Sequence, residues 1–229
     1  MRIALIGDSH SQVIFPALSK LLKSNGNSVV LQISKPGWDI LSFQKDKSIN
    51  LEASIVNSKP DIVVFSLGGN NQELKESYKS KLDWIINIAR KSGAKRIIYS
   101  GPAKSIRADV EKRHLWTSDF IRRYARDNNI EFIDGYEYTK SGHNKDGVHF
   151  GSPVYRVWAN AINDAINSRP DSSEITVKAD LTVKPRKKKK KPNYIFYGAS
   201  VSLAILAILG IKYIIDKRVS RIEGRSSKF

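Results

Sequence analysis

The sequence predicts a doubly wound α/β sandwich, and three observations predict it. Five short segments with apolar centres recur along the chain: Ile3 to Ile6, Ser28 to Ile33, Asp61 to Leu67, Arg96 to Tyr99 and Ile130 to Ile133. Stretches with helical spacing of apolar residues separate them. Turn residues such as Gly7, Gly68-Gly69 and Gly101-Pro102 close several of the strands at the point where the chain must turn into the next helix. Apolar strands alternating with helices require a parallel sheet covered on both faces. Right-handed crossovers then give a flavodoxin-like three-layer αβα sandwich with strand order 2-1-3-4-5.

The elements follow in order. Ile3 to Ile6 carries no charge and suits a buried central strand, which Gly7 ends. Asp8-Ser9 sits where an N-cap is expected, before an amphipathic helix over Ser11 to Ser24 that tolerates Pro16 in its early turns. Asn25-Gly26-Asn27 ends that helix, and the β-branched run SVVLQI is the second strand. Lys35-Pro36-Gly37-Trp38 is a tight loop, and a weaker helix is expected from about Ile40 to Asn57. DIVVFSL, from Asp61 to Leu67, is the clearest strand and runs into Gly68-Gly69-Asn70-Asn71. A long helix is expected over Gln72 to Lys91, with Leu82, Ile85, Ile86 and Ala89 on one face. The fourth strand, a helix over Ala108 to Asn128 and the fifth strand follow. Asp134 to Phe150 is expected as a polar, Gly-containing loop, and Ser152 to Ser168 as the closing helix.

Composition bounds the rest. The 229 residues carry a formal charge of +17 and no cysteine, so disulfides and thiolate metal sites are excluded. Fourteen Lys/Arg and five Asp/Glu lie from Pro170 onward, a basic excess out of proportion to that segment's length. Residues 170–193 read as a disordered polybasic linker ending in the run Arg186 to Lys191. Tyr194 to Ile211 is eighteen residues without a charge, and a snorkelling Lys212 extends the apolar span to 22 residues at Ile215. That length matches the about 20 residues a bilayer requires, so 194–215 is expected to be one transmembrane helix and 216–229 a short basic tail. Tyr194, Tyr197 and Tyr213 suit the membrane interfaces.

Eight basic residues precede the span and six follow it, which favours a cytoplasmic or virion-interior location for residues 1–169. Strand residues begin at Arg2, so a secretory leader is not expected. The run Arg186 to Lys191 would bind anionic lipid at about 1 kcal/mol per basic residue. A nucleic-acid partner is the minority reading, because the basic run adjoins an apolar span.

In such a sheet, ligands bind outside the carboxyl ends of the strands, beside the switch between strands one and three. Ser9, Gly37 and Asn70 follow strands one, two and three, so all three are expected at one edge. Each has a plainer use: Ser9 as a cap, Gly37-Trp38 as a loop with an aromatic anchor, Gly68-Gly69-Asn70 as a turn. Asp146-Gly147 reads equally as an ordinary turn, and His149 beside Phe150 as a packed histidine. No histidine pairs with carboxylates at metal-ligand spacing, and no metal or cofactor is expected.

Taken together, Gly7-Asp8-Ser9, Gly37, Gly68-Gly69-Asn70 and Asp146-Gly147-Val148-His149 resemble, in order and spacing, the four sequence blocks of the SGNH (GDSL-type) hydrolases. The resemblance covers residues 1–168. It implies Ser9 as nucleophile, His149 as general base and Asp146 as the carboxylate that orients and stabilises the imidazole. It also implies an oxyanion hole from the Ser9 and Gly37 backbone N–H groups and the Asn70 amide. Gly37 suits that role because a residue without Cβ lets backbone approach substrate closely. His10, Trp38 and Asn71 are candidate pocket residues. Two departures from the common pattern stand out: His10 in place of Leu, and Asn71 in place of Asp. The GDSH form is similar to that of SGNH domains acting on acylated carbohydrates.

The expected function is therefore a membrane-anchored serine esterase removing a short acyl group, acetyl above all, from a carbohydrate or lipid-linked substrate at an open, shallow site. An O-acyltransferase using the same triad competes with it. So does a non-catalytic binding or structural membrane protein, for instance of a virion.

Overall fold

A computed structural model of the chain describes residues 1–168. β1 (Arg2–Gly7) leads into α1 (Ser11–Ser24), followed by β2 (Ser28–Ser34), α2 (Ile40–Lys45), α3 (Leu51–Ser58) and β3 (Ile62–Ser66). Then come α4 (Tyr78–Lys91), β4 (Arg96–Ser100), α5 (Ala108–Asp127), β5 (Glu131–Ile133), α6 (Gly135–Tyr138) and α7 (Ser152–Asn167). The five strands form one parallel sheet in the order β2-β1-β3-β4-β5, as the sequence pattern predicts.

Alternation along the strands sorts the core into two layers. Ala4 and Ile6 of β1, Val63 and Phe65 of β3, and Ile97 and Tyr99 of β4 face the apolar sides of α2, α3, α4 and α5. Their neighbours Ile3, Leu5, Ile62, Val64 and Ile98 face α1 and α7, where Ile14, Phe15, Leu18, Trp158 and Ile162 are buried. A parallel strand has no solvent face, so both sets must be apolar, which is why the strands read as unbroken hydrophobic runs. Arg96 fastens one end of the domain. Its guanidinium donates to both Glu131 carboxylate oxygens at 2.7 Å and to the carbonyls of Ala165 and Ile166 at the end of α7. A bidentate pair of this kind both orients and neutralises the cation.

The register matters for the site. Gly7 lies level with Ser34 and Ser66, and Ser66 with Ser100, so β1 to β4 end together. The segments that follow them emerge at a common edge.

Three expectations need correction. The helix expected over Ile40 to Asn57 is two helices, because Asp39 forms a capping box with Ser42, and Asn50 caps a second start by accepting from Ala53 N–H. Two strong caps within a dozen residues divide what periodicity alone would join. The helix expected from Gln72 begins only at Tyr78. Asn71 Oδ1 accepts the Glu73 N–H and Asn71 Nδ2 donates to the Glu73 carbonyl, which occupies the backbone groups a first helical turn would use. The polar loop from Asp134 contains the short helix α6, started by Asp134, whose carboxylate accepts from Tyr136 N–H. The remaining elements match their expected spans to within a residue or so. The linker at 170–193, the span at 194–215 and the tail at 216–229 lie outside the described residues. Among the described residues no helix is long and apolar enough to cross a membrane.

Candidate active site

At the common edge the chain leaves β1 through Gly7 and turns sharply into α1. A Cβ on Gly7 would lie 1.8 Å from Ser11 Oγ and 2.9 Å from the Ser66 carbonyl oxygen, so only glycine fits where the first turn of α1 crosses the strand end. Asp8 is buried, and its carboxylate accepts the His10 N–H at 3.1 Å, closing the elbow. The position before α1 is His10, and no side chain caps the helix. Ser9 is therefore not a cap. Its hydroxyl is turned outward, half-buried, toward the loop before α7.

That loop carries Asp146 and His149. The Ser9 hydroxyl donates to His149 Nε2 at 3.0 Å, and His149 Nδ1–H donates to Asp146 Oδ2 at 2.7 Å. An ionised carboxylate can only accept, so it fixes the tautomer and leaves the Nε2 lone pair facing Ser9. Asp146 Oδ1 accepts the N–H groups of Val148 and His149, both at 2.9 Å. These backbone donors, Val148 first, and then the His149 ring hold the Asp146 carboxyl well below the usual carboxylate range. The spacing of three residues is what lets one carboxylate serve both its own turn and the imidazole.

The three expected oxyanion donors lie on the segments that follow β1, β2 and β3 at the common edge. Among the described residues, the N–H groups of Ser9 and Gly37 donate to no protein acceptor. Gly37 has φ +74, a conformation that favours glycine, and a Cβ there would meet open space. Asn70 Nδ2 donates to the Trp38 carbonyl at 3.2 Å, which orients the amide and leaves its second N–H free. The Trp38 ring is half-buried, packed edge-on against Phe43 with Lys35 Nζ 5.5 Å from its centroid, so Trp38 braces Asn70 from behind.

Two candidate pocket residues are placed differently from expectation. Asn71 is fully buried, with Nδ2 donating to Thr117 Oγ1 at 3.0 Å as well as to Glu73, so it anchors the turn instead of lining a pocket. An amide can satisfy donors and acceptors on both sides of a turn, which a carboxylate cannot. His10 is also buried, its ring centroid 5.0 Å from that of His149 and its Nδ1 3.0 Å from the Tyr155 hydroxyl. It packs beneath the dyad, behind the exposed surface. Tyr155 is a residue the sequence did not single out. Its hydroxyl accepts the Phe150 N–H at 3.3 Å, directly after His149.

A groove of about 540 Å³ runs between α1 and α7, lined by Val13, Ala17, Leu21 and Tyr155 among others, and none of Ser9, Asp146 or His149 lines it. The triad itself is open: the side chains of His149 and Asp146 are 38% and 50% exposed.

No family model matches the sequence, and no curated protein matches it in sequence. Solved structures do match in fold. The lipase/acylhydrolase from Enterococcus faecalis superposes with a TM-score of 0.60 at 20% identity, over 72% of this chain and 94% of that one. A catalytic mutant of an acetylxylan esterase from Geobacillus stearothermophilus gives 0.61 at 14%, over 73% and 94%. A member of the lipolytic G-D-S-L family from Veillonella parvula gives 0.55 at 16%, over 73% and 97%. At these identities the likeness is one of fold.

Proposed function

We propose that this chain is a serine ester hydrolase of the SGNH type, and that it removes a short acyl group, acetyl above all, from a carbohydrate or lipid-linked substrate. The observation that carries the reading is the continuous path from the Ser9 hydroxyl through His149 to Asp146. A serine hydroxyl is a poor nucleophile without a base, and the fixed tautomer of His149 supplies one.

In the proposed reaction Ser9 Oγ attacks the acyl carbonyl carbon while His149 Nε2 takes its proton. The oxyanion is held by the Ser9 and Gly37 N–H groups and the Asn70 amide. Asp146 stabilises the imidazolium. Collapse breaks the ester bond, and His149 returns the proton to the departing alcohol. Water then attacks the acyl-enzyme as His149 takes its proton, the acyl–Oγ bond breaks, His149 returns the proton to Ser9 Oγ, and the carboxylic acid leaves. The exposure of the dyad favours hydrolysis over transfer, because an acyltransferase must keep water from the acyl-enzyme. The acetylxylan esterase among the proteins of this fold agrees with an acetylated carbohydrate as substrate. The apolar stretch 194–215 completes the proposal as a membrane anchor, with the polybasic run before it at anionic lipid and the catalytic domain on the cytoplasmic or virion-interior side.

Hydrolysis of p-nitrophenyl acetate and of acetylated oligosaccharides tests the reaction. Ser9→Ala is expected to reduce turnover to background. Asn70→Ala is expected to lower kcat by roughly 10²–10³-fold, the usual cost of one oxyanion donor. Turnover that survives Ser9→Ala overturns the assignment.

A further inference from the structure

His114 lies in α5, outside the motifs, and is buried to 1% exposure. Its two ring nitrogens each meet a backbone carbonyl: Nε2 is 2.8 Å from Gly69 O and Nδ1 is 2.7 Å from Ala103 O. Gly69 O belongs to the peptide that joins Gly69 to Asn70, so one contact fixes the residue that supplies the amide donor. Ala103 begins a segment that grips the other half of the site. Ser105 Oγ and Ile106 N–H both donate to Gly147 O, at 2.8 and 3.0 Å, between Asp146 and His149. The Lys104 carbonyl is met by His143 Nε2 at 3.1 Å, on the same loop.

The face of α5 around His114 is shaped to the Asn70 turn. Thr117, one turn on, accepts from Asn71 Nδ2. A Cβ on Gly68 would lie 3.2 Å from Thr117 Cγ2 and 3.3 Å from Ile121 Cδ1, so the turn is seated on His114, Thr117 and Ile121, which share one side of the helix. We propose that His114 is a positioning residue that staples the Asn70 turn to the loop carrying Asp146 and His149, holding the oxyanion donor and the general base in one geometry. This rests on the esterase reading above. Burial lowers the His114 pKa against the pull of the two carbonyls, so the neutral ring, with its single N–H, donates to one carbonyl at a time and exchanges between them with its tautomer. Displacements of an ångström between catalytic groups cost rate far more than binding, so the staple acts on kcat.

Three variants of the full chain test this. His114→Leu has no donor. His114→Asn places an amide nitrogen where Nδ1 stands and keeps the Ala103 contact alone. His114→Gln reaches to Nε2 and keeps the Gly69 contact alone. The leucine variant is expected to lose about 10- to 100-fold in kcat on p-nitrophenyl acetate with KM within about threefold, and the two amides to lose less. Amide hydrogen exchange is expected to quicken at residues 68–71 in the asparagine variant, at 101–107 in the glutamine variant, and at both in the leucine variant, with β1 and β3 still protected. Wild-type kcat in a folded leucine variant overturns the proposal. If that variant does not fold, wild-type kcat and wild-type exchange in both amide variants overturn it. Failure of the esterase reading shows separately, as absence of Ser9-dependent turnover in the unmutated protein.

Discussion

Beneath the dyad, His10 and Asp8 are two buried titratable residues whose charge burial opposes. The Tyr155 hydroxyl accepts the Phe150 N–H and lies 3.0 Å from His10 Nδ1, a partner that a neutral imidazole can serve in either tautomer. Burial first, then His149 and His114, push the His10 pKa down to about 3. Burial pushes Asp8 the other way, up to about 7, against its hydrogen bonds and the charge of His149. The signs oppose. Between about pH 3 and 6.5 the unfolded chain binds a proton at His10 that the folded chain refuses, so that residue makes stability fall on acidification, by up to about 1.4 kcal/mol per pH unit. Between about pH 3.8 and 7 the folded chain keeps a proton at Asp8 that the unfolded chain releases, and stability falls as pH rises. The two slopes offset each other over the shared window. His10→Leu is therefore expected to lose stability relative to the wild type as pH is raised from 4.5 to 6.5, read by urea unfolding at each pH. A pH-independent difference would show that His10 is not held neutral in the fold.

At the scale of elements, the junction between β1 and α1 is the least forgiving. Gly7→Ala sets a methyl against Ser11 and the Ser66 carbonyl, with 2.4 Å to Ser11 Cβ and backbone on the other side. The first turn of α1 must move, carrying Ser9 with it. Overpacking of this kind costs about 1–3 kcal/mol, and Ser11→Gly in the same chain should restore part of it in denaturant melts. If Gly7→Ala is neutral in stability and activity, the junction is looser than the packing implies. Periodicity located β1, α1, β3 and α7 because each is a local run with one buried side or two. It failed at α2, α3 and the start of α4, where Asp39, Asn50 and Asn71 spend side-chain hydrogen bonds on the backbone and override apolar spacing.

For the whole molecule, both core layers and the Arg96 fastening of β4 to the end of α7 lie within residues 1–168. A protein cut after Ser168 is expected to melt within a few degrees of the full chain and to remain in the supernatant after alkaline extraction of membranes. The full chain is expected in the pellet, held by residues 194–215. Extraction of the full chain into the supernatant would remove the anchor from the proposal without touching the site.

The strand order and the common edge from which the segments carrying Ser9, Gly37 and Asn70 emerge were legible in the sequence, because alternating apolar strands and helices admit few right-handed topologies. The Asp146–His149 contact was legible as well, since three residues of one loop bring them together. The distances from Ser9 to His149, the burial of His10 under Tyr155 and the grip of His114 on two loops were decided by tertiary structure alone. Each joins residues far apart in the chain, on neighbouring helices or separate loops. No local pattern marks a histidine on a charged helix as the one whose two nitrogens find carbonyls from elsewhere, because that depends on how the helix is rotated against the sheet, which packing sets.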